Sequence, residues 1–367
     1  MPFLGFLAKK LPYVETDGEN PYALGLAIGR ASREQTARVV SKNKSFYPRY
    51  RKKSWNELVV AAKKLLPANI KWAPAYVEEL GGLAEGAGVP FEIIWLMNVE
   101  EEIVDQGEIV GEYILPPSNK SPAAVSPERG HCSTILVKRP RGFLLGHNED
   151  WWGHYSGALV MVKVKRQSGT NFLGLSLVGA CPASLVGVND QGVAYAGNSI
   201  DVGVKSGVCK NFLMRKIVDC ETSQQIVEAL SVKPRTLGNN AMCIVGSEQK
   251  MFSVESTPEE TRVLNSGVRS YMLHTNFLLH PELSNAREDS RLGPHLRYAH
   301  MEYLLAKQNE KINEDDVRGI LGSEHVFQRA KFWLDDQTVA SVIVSVPENI
   351  MKVRNPSQGE KYVTYTL

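Results

Sequence analysis

Four prolines in 16 residues, Pro116, Pro117, Pro122 and Pro127, divide the chain into two stretches with different apolar periods. Each proline fixes φ and lacks an N–H, so residues 116–131 read as an irregular surface linker. Upstream, from Pro21 to about Asp105, apolar residues recur every three or four positions. The runs A-L-G-L-A-I-G-R-A-S-R-E-Q-T-A-R-V-V and W-N-E-L-V-V-A-A-K-K-L-L predict amphipathic helices, and Gly86 and Gly88 before Pro90 predict a stop and a restart. Downstream the period becomes two. Strands are expected at 133–138, 143–147, 158–165, 171–177, 184–188 and 193–197, then at 241–246 and 250–255, with Thr338–Val346 and Tyr362–Thr366 closing the chain. Helices are expected over Phe212–Leu230, with Thr222-Ser223 capping a second segment, and over Glu288–Leu305 and Glu314–Leu321. This order predicts an α+β layered sandwich in a single domain, 1–367, made of a helical segment 1–131 and a β-rich segment 132–367.

Composition narrows the partners. With 43% hydrophobic residues among 367, the chain has enough apolar material for a large core. A net charge of +2 on 42 basic and 40 acidic residues gives no basis for binding nucleic acid. No run approaches the roughly 18 apolar residues of a membrane span. The start, M-P-F-L-G-F-L-A-K-K, lacks the basic-then-apolar order of a secretory signal, and a cytoplasmic protein is expected. Five cysteines, with no C-x-x-C pair, argue against a disulfide framework or a thiolate zinc ribbon. Four of them read as small core residues.

The fifth, Cys132, opens the first strand after the linker. A hairpin joins it to G-H-N-E-D-W-W (146–152), so Asp150 returns near the start of that strand. Two bland readings stand beside a functional one: Cys132 as a buried small residue and Asp150 as a turn cap. His131, Cys132, His147, Asp150 and His154 are also metal-ligand types, although their spacing matches no tight zinc pattern. A second polar cluster, L-H-T-N-F (273–277), puts Asn276 in a strand-like run, where its amide either donates to an oxyanion or satisfies a turn.

Several pieces in fixed order carry a resemblance: H-C-S-T (131–134), G-H-N-E-D-W (146–151), G-V-N-D-Q-G-V-A-Y-A-G-N (187–198), F-L-M-R (212–215), V-E (254–255), H-T-N (274–276), Y-V-T-Y-T-L (362–367), and L-P-Y-V-E-T-D-G-E-N-P-Y-A-L-G (11–25). Together they resemble the acyl-CoA:6-aminopenicillanic acid acyltransferase family of Ntn hydrolases. The resemblance implies a four-layer αββα sandwich and a precursor that cuts its own His131–Cys132 bond into two chains that stay associated. It implies that Asp150 positions the new α-amine, that Asn276 is a side-chain oxyanion donor, and that the Thr134 backbone N–H is a second donor. Many members carry Gly where this chain has His131, and some place an Arg where it has Asp335 and Asp336.

An N-terminal cysteine supplies its own chemistry. Its α-amine has a reference pKa of ~7.7 to 8.0, suited to general-base work near neutral pH. The thiol attacks an amide or thioester carbonyl, the amine takes and returns the proton, and an acyl-enzyme forms. Water completes a hydrolysis and an amine completes an acyl transfer. The expected partner is a small linear amide or thioester, with no cofactor and no metal. Two other readings remain at this stage: an uncut scaffold that binds a small ligand, and a metalloprotein using His131, Cys132 and His147.

Overall fold

The computed structural model describes residues 11–18, 20–106, 108–110, 113–115, 132–283, 292–308, 312–329 and 336–367. The linker 116–131 with His131, the first ten residues, Asp335 and the predicted helix start at 288–291 lie outside them.

A short strand β1 (Tyr13–Thr16) precedes four helices, α1 (Pro21–Arg51), α2 (Trp55–Trp72), α3 (Pro74–Ala87) and α4 (Phe91–Asn98). Asn20 starts α1 by accepting the Ala23 N–H at 3.0 Å, and the Ser54–Glu57 capping box starts α2. Gly88, at φ 69, ends α3 at the predicted stop. Helices α1 and α3 touch backbone to backbone: a Cβ on Gly25 would lie 1.8 Å from the Glu79 carbonyl oxygen, and one on Gly82 would lie 1.9 Å from that of Tyr22. A π-helical turn (Glu101–Asp105) and the hairpin β2 (Glu108–Val110) with β3 (Tyr113–Leu115) complete this segment.

The second segment builds two sheets. Its elements are β4 (Ser133–Lys138), β5 (Phe143–Trp152), β6 (Leu159–Val164), β7 (Phe172–Leu177), β8 (Val186–Asn189), β9 (Val193–Ile200), α5 (Lys210–Ile217), α6 (Ser223–Leu230), β10 (Gly238–Val245), β11 (Lys250–Ser256), β12 (Thr261–Asn265), β13 (Tyr271–His274), α7 (Leu292–Ala306), α8 (Glu314–Leu321), β14 (Asp336–Val346), β15 (Ile350–Arg354) and β16 (Val363–Thr366). The larger sheet runs β1-β6-β7-β8-β9-β10-β11-β12 and the smaller β13-β4-β5-β14-β15-β16. β9 faces β4, β5 and β14 across the sandwich. On the outer face of the smaller sheet, Ile135, Val137, Leu144 and Ile343 pack against Met301 and Leu305 of α7 and Val317, Ile320 and Leu321 of α8. On the outer face of the larger sheet, Met214 of α5 lies over Gly197 of β9. Helices, sheet, sheet and helices make the expected αββα sandwich.

The two segments interlock. β1 pairs in parallel with β6, Tyr13 opposite Met161. Asn98 donates to the Gly179 carbonyl at 2.9 Å and accepts the Cys181 N–H at 2.7 Å. Asn69 does the same with Gly207 (3.1 Å) and Cys209 (3.0 Å). Arg215, only 1% exposed, bridges Glu79 of α3 at 3.3 Å and Asp219 at 3.2 Å. Burial raises Asp219, but Arg215 and Arg166 outweigh it and hold the carboxyl well below its usual range. All five cysteines are free and buried, Cys132 included. Among the described residues no helix is long and apolar enough to cross a membrane.

Candidate active site

β5 carries the polar run His147, Asn148, Glu149 and Asp150 inside the sandwich, where all four are buried. Polar groups survive there only when paired, and each here has a partner. β4 and β5 are antiparallel, with Ser133 opposite Asn148 and Thr134 opposite His147. Alternation along the pleat therefore sorts the side chains onto two faces.

Toward the larger sheet, the Cys132 thiol donates to Glu149 Oε2 at 3.4 Å, and His147 Nε2 lies 3.1 Å from the same oxygen. The other ring nitrogen, Nδ1, meets the Thr134 hydroxyl at 2.8 Å, and that hydroxyl donates to Asn198 Oδ1 of β9 at 3.0 Å. Burial, then Glu149, pushes the Cys132 thiol well up, so the sulfur of the uncut chain is kept protonated. Toward α7 and α8, Asn148 donates to the Leu321 carbonyl at 2.8 Å. Thr338 donates to Asp150 Oδ1 at 2.6 Å, while the buried Asp150 Oδ2 has no hydrogen-bond partner among the described residues.

Asn276 follows β13. Arg297 of α7, 3% exposed, donates to Asn276 Oδ1 at 2.6 Å and to the hydroxyl of Ser133, next to Cys132, at 3.2 Å. A guanidinium has only donors, so it fixes the amide with its oxygen toward Arg297. The Asn276 NH2 gives one hydrogen to the Ser199 carbonyl at 2.9 Å, and its other hydrogen has no acceptor among the described residues. The Thr134 backbone N–H, the expected second donor, lies in β4. Lys138 N–H donates to the carbonyl of Ser270, the residue just before β13, at 2.7 Å, and strand alternation turns the Thr134 N–H to the same side, where His274 is its register partner in β13. Its register directs that N–H toward β13, while the Thr134 hydroxyl faces His147 and Asn198.

A cleft of about 590 Å³, open mouth included, is walled by Glu100, Glu101, Glu149 and Lys210 together with the apolar Met97 and Leu177. Trp151 and Tyr155 donate to Glu100 at 3.1 and 2.5 Å, and Tyr47 does so too. Burial still pushes Glu100 up to about 8 and Glu102 up to about 7. Lys210 pairs with Glu101 at 2.8 Å and also reaches the Ser199 hydroxyl.

The hairpin thus brings Cys132 to Glu149, not to His154, whose Nε2 meets Asn43 Oδ1 at 2.7 Å on the α1 side. Burial, with Lys42 and Arg38 nearby, holds His154 at about 4. Sequence reasoning missed Glu149 and Arg297. The first could have been found by continuing the hairpin pairing one place past Ser133 and Asn148; the second, one basic residue in a helix, carried no signal.

Asp150 has a measurable signature. Burial raises it from 3.8 to about 8, against Arg297 and the Thr338 hydrogen bond. Between those values the folded uncut chain holds a proton that the unfolded chain has released, so this carboxyl makes stability fall as pH rises, by about 1.4 kcal/mol per unit. Urea unfolding of uncut Cys132→Ala from pH 5 to 7 should show a decline that Asp150→Asn, in the same background, reduces by about that slope. Parallel curves for the two proteins would show that Asp150 titrates normally.

The sequence profile of the family described as acyl-coenzyme A:6-aminopenicillanic acid acyl-transferase matches residues 137–356, more than half the chain and starting just past Cys132. A beta-alanyl-dopamine/carcinine hydrolase of Drosophila melanogaster is 24% identical over 278 residues, 69% of this chain and 66% of that protein, so the chain spans just under two thirds of that relative's length. The 40 kDa form of acyl-coenzyme A:6-aminopenicillanic-acid-acyltransferase from Emericella nidulans is 22% identical over 319 residues, covering 86% and 80%. Among solved structures, a Caenorhabditis elegans N-acylethanolamine-hydrolyzing acid amidase ortholog superposes with a TM-score of 0.46 at 14% identity, over 64% of this chain and 100% of that one. The conjugated bile acid hydrolase of Clostridium perfringens gives 0.44 at 14%, over 64% and 97%. On the strength of the profile match, the chain belongs to the acyl-coenzyme A:6-aminopenicillanic acid acyl-transferase family.

Proposed function

We propose that the chain is an amidohydrolase or acyltransferase that works through an acyl-Cys132 intermediate on a small linear amide or thioester, after cutting itself at His131–Cys132. The observation that carries the reading is the buried Asp150 Oδ2, a polar atom with no hydrogen-bond partner among the described residues, one residue along β5 from the carboxylate that takes the Cys132 thiol. A buried carboxylate oxygen without a partner is costly, and an α-amine freed on Cys132 would satisfy it. The same amine gives the protonated thiol the base it lacks, and the spare Asn276 N–H is the donor for the oxyanion.

Substrate charge follows from the cleft, where the cation among the lining residues, Lys210, is already paired with Glu101 and Glu100 is pushed up to about 8, so the wall offers no free positive charge to a carboxylate. A neutral or cationic amide suits that wall better than a carboxylate. A similar balance of amide chemistry stands in the names of the two curated relatives, a hydrolase and an acyltransferase. The protein works in the cytoplasm on this reading, where its five free thiols stay reduced. The two cut chains stay together through the contacts described above.

Denaturing mass spectrometry of the purified protein tests the reading: two chains are expected, one starting at Met1 and one at Cys132. Catalysis by a chain that remains in one piece after long incubation would sink it.

A further inference from the structure

Three atoms with lone pairs converge on one buried spot: Cys132 Sγ, His147 Nε2 and Glu149 Oε2. Each lies within 4.8 Å of the others, with Sγ to Oε2 at 3.4 Å and Nε2 to Oε2 at 3.1 Å. Around a tetrahedral zinc ion with bonds of about 2.0 to 2.3 Å, ligand atoms stand roughly 3.3 to 3.8 Å apart, so the Sγ–Oε2 and Nε2–Oε2 edges already match such an ion to a few tenths of an ångström, and the Sγ–Nε2 edge, within 4.8 Å, closes by a side-chain rotation. The ring of His147 is already oriented for it. The Thr134 hydroxyl gives its hydrogen to Asn198, so it accepts from Nδ1–H and turns Nε2 to the spot, as a metal-bound histidine requires. Charge fits too: a thiolate and a carboxylate neutralise a dication, leaving no net charge in a site where all three residues are at most 4% exposed. Glu149 also lines the cleft, which gives an ion an entry path past Glu101 and Lys210.

We propose that Cys132, His147 and Glu149 form a binding site for a thiophilic divalent cation, zinc above all, which holds the thiol out of reaction. Binding forms one metal–sulfur bond and releases the thiol proton to solvent; no electrons move. The inhibitory consequence rests on Cys132 being the nucleophile, whereas the binding does not.

Cobalt(II) separates the two. Titrated into the whole protein, it should bind at one equivalent with a near-ultraviolet thiolate-to-cobalt charge-transfer band that zinc abolishes. Glu149→Gln, nearly isosteric, and His147→Gln should each weaken binding by more than the ~10- to 100-fold typical of an outer partner. Thr134→Val should weaken it by about 10- to 100-fold. Circular dichroism identifies any variant that fails to fold, and Glu149→Gln serves if His147→Gln does. Absence of the band, or affinity unchanged in folded Glu149→Gln, overturns the site. The band with turnover undiminished at saturating zinc keeps the site and removes Cys132 as nucleophile. Loss of turnover in Cys132→Ala without any band does the reverse.

Discussion

Cys132→Ala should give an uncut chain with no measurable turnover, a loss on the order of 10⁶-fold if it follows other nucleophile deletions. The substitution removes one sulfur from a buried position, which costs about 1 kcal/mol of packing, so a folded protein is expected. Loss of activity in a folded variant therefore reports on chemistry. Cys132→Ser keeps a nucleophile of similar shape but weaker reactivity near neutral pH, and should process and turn over slowly. The pair is read by intact mass, melting temperature and single-turnover rates. Turnover of Cys132→Ala at the wild-type level would remove this residue from the reaction altogether.

The second large effect belongs to Asn276. If its spare N–H serves the oxyanion as proposed, it acts only once charge develops on the substrate oxygen, so Asn276→Ala should lower kcat by about 10² to 10³ and leave KM nearly unchanged. The pH–rate profile should keep its shape, because no titrating group is removed. Arg297→Gln frees the amide to rotate without deleting it; kcat should fall less than in Asn276→Ala, and the double variant should be no worse than Asn276→Ala alone. Measurement of kcat and KM against pH, on variants of known processing state, decides. If Asn276→Ala raises KM and spares kcat, Asn276 binds substrate and the oxyanion is held elsewhere.

Much of this architecture is visible in the pattern of residues. The helix Glu314–Leu321 and the strand Ser133–Lys138 fall where periodicity puts them, and Thr222 caps α6 by accepting the Gln225 N–H at 3.2 Å. The expected strand 143–147 instead continues to Trp152. Polar residues usually end a buried strand, but here Leu321, Ser341 and Thr338 supply partners from elsewhere in the chain. β1 escaped notice because its partner among the described residues, β6, is far away in sequence, and β12 because it is partly exposed at an edge. Cys132 and Asp150 were legible as candidates because a hairpin is a local object. Arg297 was not, since its partners Ser133 and Asn276 meet it only through the packing of α7 on the sheet.

If the chain is cut at His131–Cys132 as proposed, the ties between the first segment and the second change meaning. Before the cut, β1 finds β6 and Glu79 finds Arg215 as parts of one molecule, and refolding is a first-order process. Afterwards those contacts, with the Asn98 and Asn69 hydrogen bonds, would join two separate polypeptides, and a denatured sample would have to reassemble by collision, at a rate that depends on concentration. The mature protein would then owe its working lifetime to slow unfolding more than to any equilibrium with its unfolded form. Dilution after denaturation should leave cut protein inactive under conditions in which uncut Cys132→Ala regains its fold.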